Sequence, residues 1–356
     1  MIATNLIMMR HIYTLDDVIG VPYYNEGHVF TLHGKNTLSC FSINNNELKW
    51  SIQLSECHSV GSDLPMVLGF GDRLIVTGEY NFWIIDKTKG EIIMNKPEGQ
   101  LDKNIYINDN IIYGLRIRDE GSSDILKLDT KTHKLSLFPI TSHDFYHFKG
   151  INQNLYVAWR KSKIVGVEYE NSLANWSFSV EEIGRYERHL GEWMTGTIKG
   201  EPVNYQNIII FNVVGYHLVA IDCISGDLLW KCKIEDDNSA NRISIVDDVI
   251  CVTGYSYYYE INPLDGQIMR IIETKSIHTE NDISLIVKHY IYKNVIVLLY
   301  GRHNSKLALA DRDSYYVKQI IDLKGAVWDR YFSGFEDKII TRDLNGILKI
   351  FSIEQE

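Results

Sequence analysis

The sequence lacks most of the signatures that name a chemistry. Its five cysteines, Cys40, Cys57, Cys223, Cys232 and Cys251, include no C-x-x-C pair, which leaves zinc and thioredoxin-type exchange without support. They are odd in number, scattered and mostly inside apolar strand patterns, as expected of free thiols in a reducing compartment. No run approaches the 18 consecutive apolar residues of a membrane-spanning helix. Before Arg10 and His11, residues 1–15 offer only the short patch Leu6-Ile7-Met8-Met9, with neither the apolar region nor the cleavage site of a signal peptide. The expected location is therefore cytoplasmic. No glycine cluster sits between a strand and a helix to cradle phosphate, and no Gly-x-Ser-x-Gly elbow occurs. Positive charge is also short: 36 Lys and Arg stand against 46 Asp and Glu, for a net charge of −10. That argues against a nucleic-acid binder, which needs a basic stripe to meet the phosphates. It suits a soluble protein, or one that meets a basic partner.

What the chain has in abundance is short runs of Val, Ile, Tyr and Phe separated by Gly, Asn and Asp, the composition of an all-β protein. These runs recur with a period. The clearest copy is Ala220-Ile221-Asp222-Cys223-Ile224-Ser225-Gly226-Asp227-Leu228-Leu229-Trp230, and weaker copies centre on Asn44, Asp86, Asp129, Glu168, Asn262 and Asp311, with a truncated one near Glu354. Aligned on the Asp/Asn position the spacings are 42, 43, 39, 54, 40, 49 and 43 residues. The Asp or Asn can accept hydrogen bonds from amides two residues on, and the glycine supplies positive φ, so each copy carries a tight turn between a third and a fourth strand. Four antiparallel strands every ~40–45 residues is the size of a β-propeller blade. First strands are expected near 20–24, 64–70, 104–108, 144–149, 201–206, 242–247, 285–292 and 330–335, which makes eight blades. The last copy lacks its outer strand, while residues 9–15 read as an orphan strand. The expectation is one closed domain over 1–356, in which the N-terminal strand completes the C-terminal blade and removes an open sheet edge. Seven blades with an irregular insertion is the alternative.

The Ala-x-Asp-x-x-x-Gly-x-x-x-Trp frame of residues 220–230 resembles the repeat of PQQ-like propellers, the eight-bladed fold of quinoprotein alcohol dehydrogenases and BamB-type scaffold proteins. Asp86/Gly90 and Asn262/Gly266 keep part of the frame, and Asn44/Trp50 keeps its ends with one residue deleted. The resemblance implies that Trp50, Trp176 and Trp230 pack between blades. Quinoprotein catalysis would further require an exported protein, a stacking platform for the quinone, and calcium ligands. The chain has no adjacent cysteine pair and no dense Asp/Glu/Asn set for a calcium ion. No cofactor and no metal are expected, and the assembly role of BamB-type proteins would need an export signal and a lipidated cysteine near the start.

Among twelve histidines the one close pair is His143 and His147. On a strand they lie roughly 13 Å apart on one face, too far for one metal. Two features point instead to recognition. The long connection 179–205 carries Glu181, Glu182, Tyr186, Glu187, Arg188, Trp193 and Met194, and loop length on a rigid scaffold is where binding is usually placed. Carboxylates gather in the inter-blade connections at Glu56, Asp63, Glu235-Asp236-Asp237, Glu280, Asp282 and Asp329. Such a rim would steer a basic protein partner. The expected function is a non-catalytic protein-binding propeller, monomeric on its own. Most concretely it is an immunity protein that neutralises a basic, nuclease-type bacterial toxin, with Trp193, Tyr331 or Phe332 as apolar anchors. Alternatives are a general scaffold of a multiprotein complex and an enzyme working in the channel with Asp144, His147, Asp329 and Tyr331.

Overall fold

In a computed structural model, the chain is described except for residues 1–6, 35, 56–65, 79–80, 97–104, 109, 118–122, 140–146, 153–154, 169–173, 190, 215–216, 236–241, 285 and 356. Strands dominate. Among the described residues, six separate four-stranded sheets and one eight-stranded sheet together contain eight four-stranded modules. Within modules covering 18–53, 66–96, 106–139, 147–179, 198–233, 242–273 and 288–322, spatial order follows sequence order. The eighth combines three C-terminal strands, Val327–Phe335, Lys338–Asp343 and Leu348–Gln355, with the N-terminal strand Ile7–Leu15. That strand pairs antiparallel to Leu348–Gln355, from Ile7↔Gln355 to Leu15↔Leu348 with one irregularity. The predicted closing strand is thus observed, two residues longer than read from the sequence.

The chain divides into two compact units, 1–103 with 290–356, and 104–289. In each, packing runs from one module to the next. In the first unit, Val297, Leu299, Phe332 and Phe351 form one core, and Phe30, Leu38, Leu74 and Trp83 another. In the second, Tyr113, Tyr156 and Val165 pack together, then Val157, Trp176, Phe211 and Val219, then Ile210, Leu218, Val252 and Tyr259. This layering explains the strand sequences. The second strands Ile208–Val213 and Val295–Tyr300 are buried at every position, and they read as nearly continuous apolar runs, broken only by the buried Asn212. Fourth strands such as Leu228–Lys233 alternate, with Trp230 and Cys232 buried and Lys231 and Lys233 exposed. Cys40, Cys223, Cys232 and Cys251 are buried free thiols; Cys57 lies outside the described residues.

The repeat motif has a physical basis that can be followed atom by atom. Asp222 Oδ1 accepts the amides of Ile224 and Ser225 at 2.8 Å each, and the Gly226 amide donates to the Asp222 carbonyl at 2.9 Å. Gly226 sits at φ +75°, and a Cβ there would lie 2.6 Å from the Trp176 ring of the preceding module. The Trp176 indole N–H donates to the Cys223 carbonyl of the same turn at 3.0 Å. Trp230 repeats the arrangement one module on, stacking on Gly266 and donating to the Pro263 carbonyl at 3.0 Å. Trp50 does so over Gly90, donating to the Lys87 carbonyl at 3.1 Å. The glycine is therefore required twice over, for the left-handed backbone and for the indole that lies against it. In the turn at Asp311 the corresponding residue is Tyr315, in the same conformation at φ +58° and fully buried.

Candidate interaction site

The connection with the most surface chemistry runs from residue 180 to 197. Its far boundary differs from the sequence reading: the next first strand is Ile198–Tyr205, so residues 198–205 belong to a module. A bulge at 199–203, with Gly200 at φ +74° and Pro202, interrupts the alternation that marks a strand and explains why its start was placed at 201. The shorter connection is not an open loop but a two-stranded hairpin, Tyr186–His189 against Glu192–Met194, paired Tyr186↔Met194 and Glu187↔Trp193. Its root is tightly held. Val180 donates to the Ser162 carbonyl at 2.8 Å, Gly196 to that of Glu181 at 3.1 Å and Ile198 to that of Lys161 at 2.7 Å. A Cβ on Gly184 would lie 2.3 Å from the Val214 carbonyl oxygen, and one on Gly196 would lie 2.2 Å from that of Val180. Only glycines allow these strands so close.

From this fixed base the tip stands in solvent. Trp193 is 56% exposed, with the Arg185 guanidinium over its ring at 5.2 Å. The Glu187 carboxylate receives the Gly191 amide at 2.7 Å across the turn. Glu181 accepts the Ser162 hydroxyl at 2.9 Å, and Glu181, Glu182 and Glu187 are all exposed. With the equally exposed Glu192, four carboxylates, a guanidinium and an indole thus share one short, rooted element; the side chain of Arg188 lies outside the described part.

The other predicted acidic positions divide. Glu235 is exposed, with its amide donating to the Tyr259 hydroxyl at 2.8 Å. Glu280 and Asp282 are exposed as well, but Glu280 closes a short helix, Lys275–Glu280, that the sequence reading did not anticipate. Asp282 follows it at φ +53°. Because each module runs through four alternating strands, it returns to the end where it began. The connections holding Glu181–Trp193, Glu235 and Glu280–Asp282 all leave from that end. Glu56, Asp63, Asp236 and Asp237 lie outside the described residues, as does the side chain of Asp329.

The choice of Tyr331 and Phe332 as anchors is corrected by the structure. Each is 1% exposed, in the core that also contains Val297, Leu299 and Ile339. The exposed ring of that strand is Trp328, 42% exposed and stacked on Tyr331 with centroids 5.7 Å apart. Alternation from Tyr331 would have pointed elsewhere, because a register irregularity separates Val327 from Phe332. Of the enzymatic set, Asp144 lies outside the described residues, as does His143. His147 stacks on Trp159 at 5.3 Å, and Tyr331 is buried. No cluster of three His, Cys, Asp or Glu suited to a metal occurs among the described residues.

One hydrogen-bonded chain was not foreseen. His289 Nδ1 lies 2.6 Å from Thr253 Oγ1, and its Nε2 lies 2.8 Å from Ser244 Oγ. The spacing is that of a nucleophile, base and orienting group. Thr253 is fully buried, and among the described residues its hydroxyl meets only Nδ1. The group that orients the ring is a neutral hydroxyl, not the carboxylate that stabilises an imidazolium. A phosphonofluoridate probe is accordingly expected to label Ser244 no faster than an ordinary surface serine; selective labelling would show that His289 acts on Ser244 as a base.

No family model matches the chain. In sequence it is 22% identical over 277 residues to the uncharacterized protein RP232 of Rickettsia prowazekii, covering 70% of this chain and 61% of that one. It is 22% identical over 265 residues to the uncharacterized protein RC0314 of Rickettsia conorii, covering 69% and 60%. The match thus spans about three fifths of these relatives' length. In structure it is similar to BamB from Moraxella catarrhalis, with a TM-score of 0.63, 10% identity, and 97% and 100% of the two chains covered. It is also similar to Saccharomyces cerevisiae Sqt1, with a TM-score of 0.68, 12% identity and 98% and 100% coverage. The computationally designed protein Ika8 gives 0.64 at 11% identity, covering 97% and 100%. At these identities the likeness shows the fold: the chain is an all-β protein of the β-propeller class.

Proposed function

We propose that this chain is a non-catalytic, protein-binding propeller, and within that class an immunity protein that neutralises a basic, nuclease-type toxin in the cytoplasm. The observation that carries the reading is the 180–197 hairpin. It orders a half-exposed indole beside Arg185 at a glycine-clamped root, so little conformational freedom remains to be lost on binding. Trp and Arg are the residue types that most often anchor interfaces. On the same element Glu181, Glu182 and Glu187 are exposed, as is Glu235 on another connection, and they add to a net charge of −10. A toxin that grips nucleic acid presents Lys and Arg to phosphates, and an acidic inhibitor can occupy the same surface. A scaffold role in a larger complex uses the same surface and differs in the identity of the partner.

The test is a pull-down with the tagged chain, eluted by a salt step, followed by titration of the recovered partner. The proposal expects one stoichiometric basic protein. Trp193→Ala is expected to weaken its binding by about 2 kcal/mol, roughly 30-fold, with the unfolding midpoint unchanged because the ring is exposed. Reversing Glu181, Glu182 and Glu187 to lysine should slow association and flatten its salt dependence. Recovery of a partner indifferent to all four substitutions would remove the hairpin from the interface. An acidic partner, or none, would end the toxin reading.

A further inference from the structure

Arg342, on the strand Lys338–Asp343, is 7% exposed. A guanidinium that far from water needs partners for five N–H donors. One is occupied: Nε donates to the Val18 carbonyl at 2.6 Å. The Cζ atom lies 4.4 Å from the centroid of the Tyr331 ring, an attractive contact that offers no acceptor in the guanidinium plane. The neighbouring carboxylate is engaged elsewhere, since Asp343 Oδ1 receives the amides of Asn345 and Ile347 at 2.9 Å each. Among the described residues no carboxylate forms an ion pair with Arg342. Among the same residues its two terminal amino groups, which make the flat outer edge of the fork, are left without a protein acceptor.

Burying a cation without a counter-charge is costly, and arginine is the residue whose paired N–H groups match two oxygens of one oxyanion. We propose that Arg342 is the centre of a small-ligand site, distinct from the hairpin, that binds a phosphate or carboxylate group through those two amino groups. The Val18 carbonyl and the Tyr331 ring fix the fork in place before the ligand arrives, so its orientation needs no further ordering. Trp328, stacked on Tyr331 at an interplanar angle of 10° and 42% exposed, offers an apolar face for the organic part of the ligand. The competing role for Arg342 is a purely structural pin between its own strand and Val18.

The two roles separate by titration. The full chain is followed by thermal unfolding and Trp fluorescence while sodium phosphate, or in a second series sodium acetate, replaces chloride at constant ionic strength. The site predicts a saturable rise of about 1–3 °C once the anion exceeds its dissociation constant roughly tenfold. Greater potency of phosphate identifies a phosphoryl group, and greater potency of acetate a carboxylate. Arg342→Met should abolish the shift. Arg342→Lys, which keeps the charge but not the fork, should weaken the anion roughly tenfold and serves where the methionine variant does not fold. Trp328→Phe should remove the fluorescence change and keep the thermal one. No shift in the unmodified chain, or an equal shift in both Arg342 variants, overturns the proposal and leaves the structural pin.

Discussion

Gly266→Ala is expected to lower the stability of this protein by about 2–4 kcal/mol, a large loss for one added methyl group. Two costs combine. Gly266 sits at φ +72°, where an L side chain is strained by about 1 kcal/mol, and its Cβ would lie 2.5 Å from the Trp230 ring. The indole cannot simply retreat. It is 8% exposed, packs with Ile210, Leu218 and Tyr259, and donates to the Pro263 carbonyl at 3.0 Å. Trp230→Ala alone should cost about 3–5 kcal/mol as a buried aromatic truncation. The double variant tells the two costs apart, because removing the indole removes the clash but leaves the backbone strain. We expect Gly266→Ala to cost only about 1 kcal/mol in the Trp230→Ala background, a coupling of about 1–3 kcal/mol. Urea unfolding of the four proteins measures it. Strict additivity would mean that the ring and the glycine are not in contact as described.

A second large effect is set by pH. His278 is fully buried in the helix Lys275–Glu280, with Nδ1 donating to the Tyr255 carbonyl at 2.7 Å and the Tyr255 ring 5.7 Å away. Burial penalises the imidazolium and pulls the pKa from 6.5 down to about 4, against the smaller opposing pull of the Tyr255 carbonyl. Above pH 6.5 the ring is neutral in both folded and unfolded chains and contributes no slope. Between 6.5 and about 4 the unfolded chain takes up a proton that the folded one refuses, so stability falls as pH falls. Below about 4 both forms are charged and the slope from this group ends. The full loss is on the order of 3 kcal/mol. Carboxylates held low in the fold, such as Asp222 by the Ser225 amide and Asp129 by the Thr132 amide, lose their contribution only at more acid pH. The measurement is the difference in unfolding midpoint between the native chain and His278→Asn at about pH 7, 5.5 and 4. The native chain should lose its advantage across that window, and parallel curves would show that His278 does not titrate as described.

The strands were legible in the sequence because a propeller module makes local demands. Ile208–Val213 is buried on both faces and so is apolar at every position but Asn212, and Asp222 and Gly226 appear in the one turn geometry that needs both. Even the pairing of Ile7–Leu15 with Leu348–Gln355, the longest sequence separation in the fold, followed from a missing strand at one end and an orphan at the other. Where local alternation breaks, the reading failed. Bulges near Gly200 and between Val327 and Phe332 displaced a strand start and turned Tyr331 inward, while Trp328, not Tyr331, was left in solvent. The short helix at Lys275–Glu280 was missed because six residues carry too little periodicity to register.

The candidate sites divide along the same line. The sequence by itself determined the repeat, the strand order, the motif turns and the acidic character of the connections, since each depends on residues within a few positions of one another or on a sum over the chain. It also marked Trp193 and its glutamates as an excess over a compact repeat. Only the tertiary structure decided that this excess is a hairpin clamped by Gly184 and Gly196, that Thr253, His289 and Ser244 form one hydrogen-bonded chain, and that Arg342 meets Val18 and Tyr331 but no carboxylate among the described residues. Those facts depend on which side chains are brought together from distant strands. Side-chain contacts between sheets leave no period in a single sequence, because either partner can be replaced by any residue that fills the same space.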